Sequence, residues 1–409
     1  MRKKISVDEL ELGMFLVEIC GSWINNPFWR SSLVLTDPKD LALLRASKVR
    51  EVWIDVSKGD DVFASTVAAE LQLILDAEPD PITAPAIAIS DRTPVPSADE
   101  IARAARICAA GKEAVTSMFH EARMGNTVDA EGIATLVDEI TDSVARNTTA
   151  LISLARLKTA DDYTYMHSVA VCAMMIALAR QLNLPTDVVR SAGVAGLLHD
   201  VGKMLVPIEI LNKPGKLTDS EFTMIKAHPV KGHAFLMESA NIDPIALEVC
   251  LHHHEKVDGT GYPEGLKGPE ISIYAKMAAV CDVYDAITSN RPYKSGWDPS
   301  ESLRQMGQWA NGHFDLAVFQ AFVKTLGIYP VGSLVQLSSG RIGVVTDQNK
   351  GALTMPVVKI FYVISSAQRI EPLVVDLSKR GCKEKVIARE DPTKWKFADL
   401  NAMWSGVPS

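Results

Sequence analysis

Apolar positions change their spacing three times along the chain. Through residues 1–56 they form short runs rich in Val, Ile and Trp, at 9–19 (ELELGMFLVEI) and 50–56 (REVWIDV). Such runs predict strands. Between them, 35–49 reads as a strand end, a turn and a short helix. Residues 57–100 read as a linker, with prolines at 79, 81, 85, 94 and 96. From 98 to 326 the period is helical and Ala and Leu are abundant. Thr218 with Glu221 predicts a capping box and a helix start. Pro185 and Pro229 fall where a first helical turn accepts them. From 327 to 376 strand character returns, as a small β-meander with a turn at 338–341, and the charged tail after Lys379 reads as peripheral.

The pattern predicts a mainly α protein: a β-rich N-terminal domain with its Pro-rich linker over 1–97, a connecting helix over 98–130, a helical domain over 131–326, and a β-meander with a tail over 327–409. The longest apolar stretch, 169–178, is too short to span a bilayer and reads as a buried helix. The basic N-terminus lacks the apolar core of a signal peptide.

Composition narrows the partners. The 409 residues are 47% hydrophobic and 22% charged, the balance of a globular protein. A net charge of -8 argues against polymeric nucleic acid as a partner, although a small phosphate ligand needs only a local basic cluster. No pair of the six cysteines has CxxC spacing, so a zinc ribbon and a redox motif are both unsupported, and a cytoplasmic setting is expected.

Histidine placement carries the chemistry. Of nine histidines, seven fall between 167 and 254: His167, His199, His228, His233, His252, His253 and His254. One histidine on an apolar face is ordinarily a core residue. Seven in one helical stretch, several beside carboxylates, point to metal ligation. His199 and Asp200 close a small apolar run, so the pair should be buried, and a buried carboxylate needs a cation. Asp200 has two oxygens and is the candidate bridge between two metals. Lys203 reads as a phosphate contact or as a helix-terminal cation. Asp282 and Asp285 share a helix face at i, i+3. Asp282 is the ligand candidate, and Asp285 the group that holds a ligand histidine or Lys203. Arg291 and Lys294 read equally as phosphate or guanine contacts and as ordinary C-terminal cations. The loop at 258–263 is glycine-rich but lacks the order of a phosphate-cradling P-loop.

Together the motifs YTYMHS (163–168), HDVGK (199–203), HPVKG (228–232), HHE (253–255), DGTGYP (258–263), DVYDA (282–286) and RPYK (291–294) resemble the HD-GYP family of phosphohydrolases. The resemblance covers 130–330, and 1–97 resembles an accessory domain often found before such domains. It implies metal-dependent hydrolysis of cyclic di-GMP, to pGpG and onward to GMP in some members, with water shared between metals as the attacking group. The implied ligands are His167, His199, Asp200, His228, His253, His254 and Asp282. Lys203, Asp285, Arg291, Lys294 and Tyr262 fall at substrate or supporting positions. Two divalent transition metals are expected, among iron, manganese and nickel, with three as the alternative count. Trinuclear members carry a glutamate where this chain has Tyr163, which favours two. His233 and His252 are assigned to solvent or supporting roles. A diguanylate cyclase docking through the 258–263 loop and a second copy of the chain are further candidate partners. Competing readings are a phosphohydrolase acting on another nucleotide, and a non-catalytic module that binds cyclic di-GMP or a diguanylate cyclase.

Overall fold

The structure, a computed structural model, describes residues 2–10, 12–19, 32–47, 49–55, 58–59, 64–79, 95–127, 129–157, 163–211, 213, 215–290, 296–310, 312–395 and 397–406. At the N-terminus, β1 (Arg2–Ser6), β2 (Phe15–Ile19), β3 (Leu33–Val34), α1 (Pro38–Ala46) and β4 (Glu51–Asp55) form a small unit. Its antiparallel sheet has the order β1-β4-β2-β3. Leu10, Met14, Leu16, Leu35, Leu44, Val52 and Ile54 give it a core of its own. Asp37 accepts from the backbone N–H of Lys39 at 2.8 Å and starts α1, with Pro38 in the first turn.

The stretch 57–100 departs from the linker reading. It contains α2 (Ala64–Asp76), which buries Val67 and Leu71 in the main core. The run STVAAELQLILD has helical spacing, and the prolines begin only at 79, after the helix has ended. Gln320 donates to the carbonyls of Ile74 and Ala77 at 2.7 and 2.8 Å, satisfying groups that a helix end leaves open.

The long α3 (Ser97–Arg123) then runs beside α4 (Ala130–Arg146), α5 (Ala150–Ala155), α6 (Tyr163–Gln181) and α7 (Thr186–Leu198). Next come a 3-10 turn at Val201–Leu205, α8 (Ile208–Leu211), α9 (Asp219–Lys226), α10 (His228–Glu238) and α11 (Pro244–His252). After the glycine-rich loop follow α12 (Ile273–Thr288), α13 (Pro299–Trp309) and α14 (Leu316–Leu326). Helix α6 is apolar on every side, with Val169 to Ala179 all buried, so it lies at the centre and the other helices pack around it. Thr218 and Glu221 form the expected capping box at the start of α9. Cys172, Cys250 and Cys281 are free thiols in this core.

The C-terminal sheet comprises β5 (Leu334–Leu337), β6 (Arg341–Asp347), β7 (Val357–Val363), β8 (Gln368–Asp376) and β9 (Val386–Arg389) in the order β8-β7-β6-β5-β9. The meander is as expected, but the tail is not peripheral. Strand β9 pairs with β5, and after α15 (Pro392–Trp395) comes α16 (Leu400–Ser405), whose Leu400 and Trp404 join a core with Val331, Leu334 and Phe361. The charged residues after Lys379 hid two short apolar stretches. The protein is thus mainly α with a small sheet at each end. No described helix is long and apolar enough to cross a membrane.

Candidate metal centre

Five helical segments bring their imidazoles and carboxylates to one point. His167 comes from the second turn of α6, His199 and Asp200 from the end of α7, His228 from the first turn of α10, His253 and His254 from the end of α11, and Asp282 from α12. These residues form two groups whose potential ligand atoms lie within 4.8 Å of one another: His167, His199, Asp200 and Asp282; and Asp200, His228, His253 and His254. Asp200 belongs to both. Its Oδ2 stands 3.4 Å from His167 Nε2 and 3.3 Å from His199 Nε2. Its Oδ1 stands 3.2 Å from His228 Nε2 and 3.6 Å from His253 Nε2. Asp282 closes the set, with Oδ1 3.0 Å from His167 Nε2 and Oδ2 3.7 Å from His254 Nδ1.

Nearby acceptors aim the rings. Nδ1 of His199 donates to Gly196 O at 2.8 Å, and that of His228 to Ile225 O at 2.7 Å. His253 Nδ1 lies 3.0 Å from Val249 O and 3.1 Å from Cys250 O. His167 Nδ1 lies 2.6 Å from Asp285 Oδ2. With Nδ1 carrying the proton, the Nε2 lone pairs of His199, His228 and His253 point inward. This is the arrangement of metal-ligating histidines, whose outer nitrogen is held by a carbonyl or carboxylate. Helix geometry supplies the four carbonyl acceptors, since each lies three or four residues before its histidine.

The interior of the cluster is left unsatisfied by protein. His199 Nε2 and Asp200 Oδ1 are buried and make no hydrogen bond among the described residues. His228 Nε2 and His253 Nε2 face each other at 3.2 Å, two lone pairs with no proton between them in this tautomer. Buried polar atoms without partners are costly. Bound divalent cations would satisfy all of them, so the donor set fits a metal centre.

Electrostatics agree with anionic carboxylates among mostly neutral imidazoles. Burial alone would raise Asp200, but Lys203 and His199 hold it well below 3.8. Asp282 is likewise held well below 3.8 against its burial, first by the hydrogen bond from His167. Burial, then the charge of His253, push His254 well below 6.5. Burial also lowers His228. His167 is the exception: burial lowers it, but the bonds to Asp200, Asp282 and Asp285 outweigh that and lift it to about 10.

The supporting residues take specific places. Lys203 donates from Nζ to Asp200 Oδ2, so in this structure it faces the carboxylate of its own motif. The Tyr262 ring packs 4.7 Å from His254 and forms a wall of the cluster. Gly202 lets the 3-10 turn pass close to α10. A Cβ there would meet the backbone of His228 and would stand 2.6 Å from Gly232 N. His252 lies beside the cluster, with Nδ1 3.1 Å from Glu248 and Nε2 3.4 Å from Glu264. Arg291 and Lys294 lie outside the described residues.

One contributor went unassigned in the sequence. Glu255 is 2% exposed. Its carboxylate accepts from the backbone N–H groups of Glu264, Gly265 and Leu266 at 2.7, 3.0 and 3.1 Å, and so holds the glycine-rich loop around Tyr262. An acid between three histidines and a glycine-rich loop was the available signal.

Comparison with known proteins places these features in a wider set. Residues 2–133 match a family described as a domain of unknown function (DUF3391), and residues 140–318 match the HD domain family. A cyclic di-GMP phosphodiesterase of Pseudomonas aeruginosa is 52% identical over 100% of this chain and 96% of its own length. A cyclic di-GMP phosphodiesterase response regulator of Xanthomonas campestris is 39% identical over 36% of this chain and 39% of its own. A 3'3'-cGAMP-specific phosphodiesterase of Vibrio cholerae is 34% identical over 40% of this chain and 38% of its own.

Proposed function

The chain belongs to the HD-GYP family of HD-domain cyclic di-GMP phosphodiesterases, and from that membership we propose how it acts. It hydrolyses a phosphodiester bond of cyclic di-GMP, releasing pGpG and, where a second bond is cut, GMP. The reaction takes place at a centre that holds two divalent transition metals. The observation that carries this reading is the split of Asp200, whose two oxygens face two different histidine groups. A carboxylate so placed would offer one oxygen to each of two cations.

In this reading His167, His199 and Asp282 would hold one cation, and His228, His253 and His254 the other. Imidazole with carboxylate suits iron, manganese or nickel. The count of two rests on the two groups and on Tyr163, which offers no carboxylate at the start of α6. Bound cations supply the charge that acidifies water near neutral pH and offsets the charge growing on the phosphoryl oxygens.

The chain's own residues do the rest. Asp285 fixes the tautomer and angle of His167. Lys203 balances the charge of Asp200 and is the motif's candidate contact for a substrate phosphate. Tyr262 closes one wall of the cluster against His254. Glu255 keeps that wall in place. Arg291 and Lys294, by their place in the RPYK motif, hold substrate phosphate or support the site. The test is to incubate the metal-loaded chain with cyclic di-GMP, with and without chelator, and to separate the products. Chelator-sensitive appearance of pGpG or GMP is expected. Intact cyclic di-GMP beside a loaded centre would overturn the assignment.

A further inference from the structure

The N-terminal unit meets the helices at an ionic joint. Glu9 ends a 3-10 turn at Val7–Glu9, directly after β1. Its Oε2 accepts the backbone N–H of Ser6 at 2.7 Å, which fixes the side chain. Its Oε1 stands 3.7 Å from Nη1 of Arg304 on α13, and Oε2 of Glu70 on α2 stands 3.5 Å from the same nitrogen. Arg304 is 1% exposed, and its other nitrogens are committed to Glu301, Nε at 3.2 Å and Nη2 at 3.0 Å. Arg389 of β9 faces Glu301 at 3.9 Å and Asp298 at 3.7 Å.

Charge does not balance in this joint. Glu9, Glu70, Glu301 and Asp298 set four carboxylates against the guanidiniums of Arg304 and Arg389. Lys4, Arg50 and Glu51 line the adjoining cleft, where Lys4 and Glu51 pair at 2.6 Å. Glu9 Oε1 and Arg304 Nη1 are buried and make no hydrogen bond among the described residues. One guanidinium nitrogen thus stands between two carboxylates, too far from either for a strong bond. Glu70 lies within hydrogen-bonding reach of Glu9, and two carboxyl groups so placed are relieved when one carries a proton. Burial first, then the bond to Glu9, outweigh Arg304 and raise Glu70 from 4.5 to about 7.

We propose that a proton on Glu70, donated to Glu9, latches the N-terminal unit onto α2, so that its docking loosens as pH rises. The groups facing Glu70 are Glu9 from the turn, Arg304 from α13 with Glu301 across it, and Arg389 from β9 beyond Glu301. From α14 comes the uncharged Gln320, bonded to the carbonyls that end α2. The docked state binds the proton more tightly than the free one. Docking is therefore strongest below pH 4.5, weakens as pH rises to about 7, and is level above that. Full coupling would change it about tenfold per pH unit inside the window. The Glu70 side chain is 27% exposed, so screening reduces this to about tenfold in all between pH 5.5 and pH 7.5.

The test is amide hydrogen exchange on the full, metal-loaded chain at those two pH values, corrected for the intrinsic pH dependence of exchange. Protection over residues 2–10, relative to α6 in the main core, should be about tenfold lower at the higher pH. In Glu70→Gln an amide stands permanently where the protonated acid would donate, so protection should stay at its acid level at both values. Glu9→Gln places the donor on the other partner and should do the same, which keeps the test open if one variant folds poorly. Equal relative protection of the wild type at both values would overturn the proposal. So would a folded Glu70→Gln or Glu9→Gln chain that keeps the wild-type pH dependence, because the joint would then be an ordinary ionic contact. Exchange is read without turnover, so its outcome is independent of the catalytic assignment.

Discussion

Asp285→Ala removes a carboxylate that touches no candidate metal position yet sets the orientation of His167. The residue is 2% exposed, and its Oδ2 lies 2.6 Å from His167 Nδ1, the short separation of a charge-assisted bond. Hydrogen bonds to charged groups contribute about 1.5–3 kcal/mol. At about 1.4 kcal/mol per decade, this corresponds to roughly ten- to hundredfold in an equilibrium constant, the range seen when such outer partners of metal ligands are removed. Without Asp285 the His167 ring loses the acceptor that keeps its proton on Nδ1. The centre should therefore bind its cations about ten- to hundredfold more weakly, with kcat/KM at limiting metal falling by the same factor. The assay is competition with a calibrated chelator, read alongside hydrolysis over a metal titration and a melting curve of the metal-free chain. Excess metal should restore much of the activity. Metal affinity equal to wild type in a folded Asp285→Ala chain would refute the orientation argument.

Three further outcomes follow from separate parts of the molecule. Glu255→Gln replaces the carboxylate that three backbone N–H groups share, and losing about 1.5 kcal/mol of charge-assisted bonding should raise KM for cyclic di-GMP about tenfold while metal content, measured by mass spectrometry, stays at wild type. Gly202→Ala forces a Cβ into the backbone of α10, and calorimetry should show a loss of about 3 kcal/mol together with weakened metal binding, since His228 must move. Glu100 is buried and takes two bonds from Arg146 at 2.8 Å and one from Ser143 at 2.9 Å; Glu100→Ala should cost about 3 kcal/mol, the low end for a broken buried pair because Arg146 keeps 18% exposure. Burial raises the Glu100 carboxyl, but the Arg146 and Ser143 bonds outweigh it and hold it below 4.5, so its contribution is full above pH 4.5 and is lost as pH falls through the lower folded value. Denaturant unfolding of wild type and Glu100→Ala across that window should converge at the acid end.

Much of the centre was legible because its chemistry is concentrated in residue types that rarely cluster. His199, Asp200 and Asp282 stand in apolar helices, and burial of such groups requires a partner. Spacing alone put Asp282 and Asp285 on one face, and the structure places Asp285 behind His167. Glu255 was less readable, since its role depends on a loop folding back nine to eleven residues later, which no local period encodes. Helix α2 was misread because the prolines after Asp76 dominated the window, although 64–76 has a clean apolar stripe. Strand β9 and α16 were missed because Lys, Arg and Glu dominate the tail, while Trp404 and Leu400 carry its burial. In both cases a few well-placed apolar residues outweighed the composition around them.

The central claim is that Asp200 joins two cations into one hydrolytic centre. The most direct measurement counts metals per chain in anaerobically purified wild type and Asp200→Ala, with cyclic di-GMP hydrolysis followed on the same samples. About two transition metals per wild-type chain with active turnover are expected, together with loss of both metals and of turnover in Asp200→Ala. An Asp200→Ala chain that keeps its metals and full hydrolysis would contradict the bridge, and a wild-type count near three would contradict the binuclear centre.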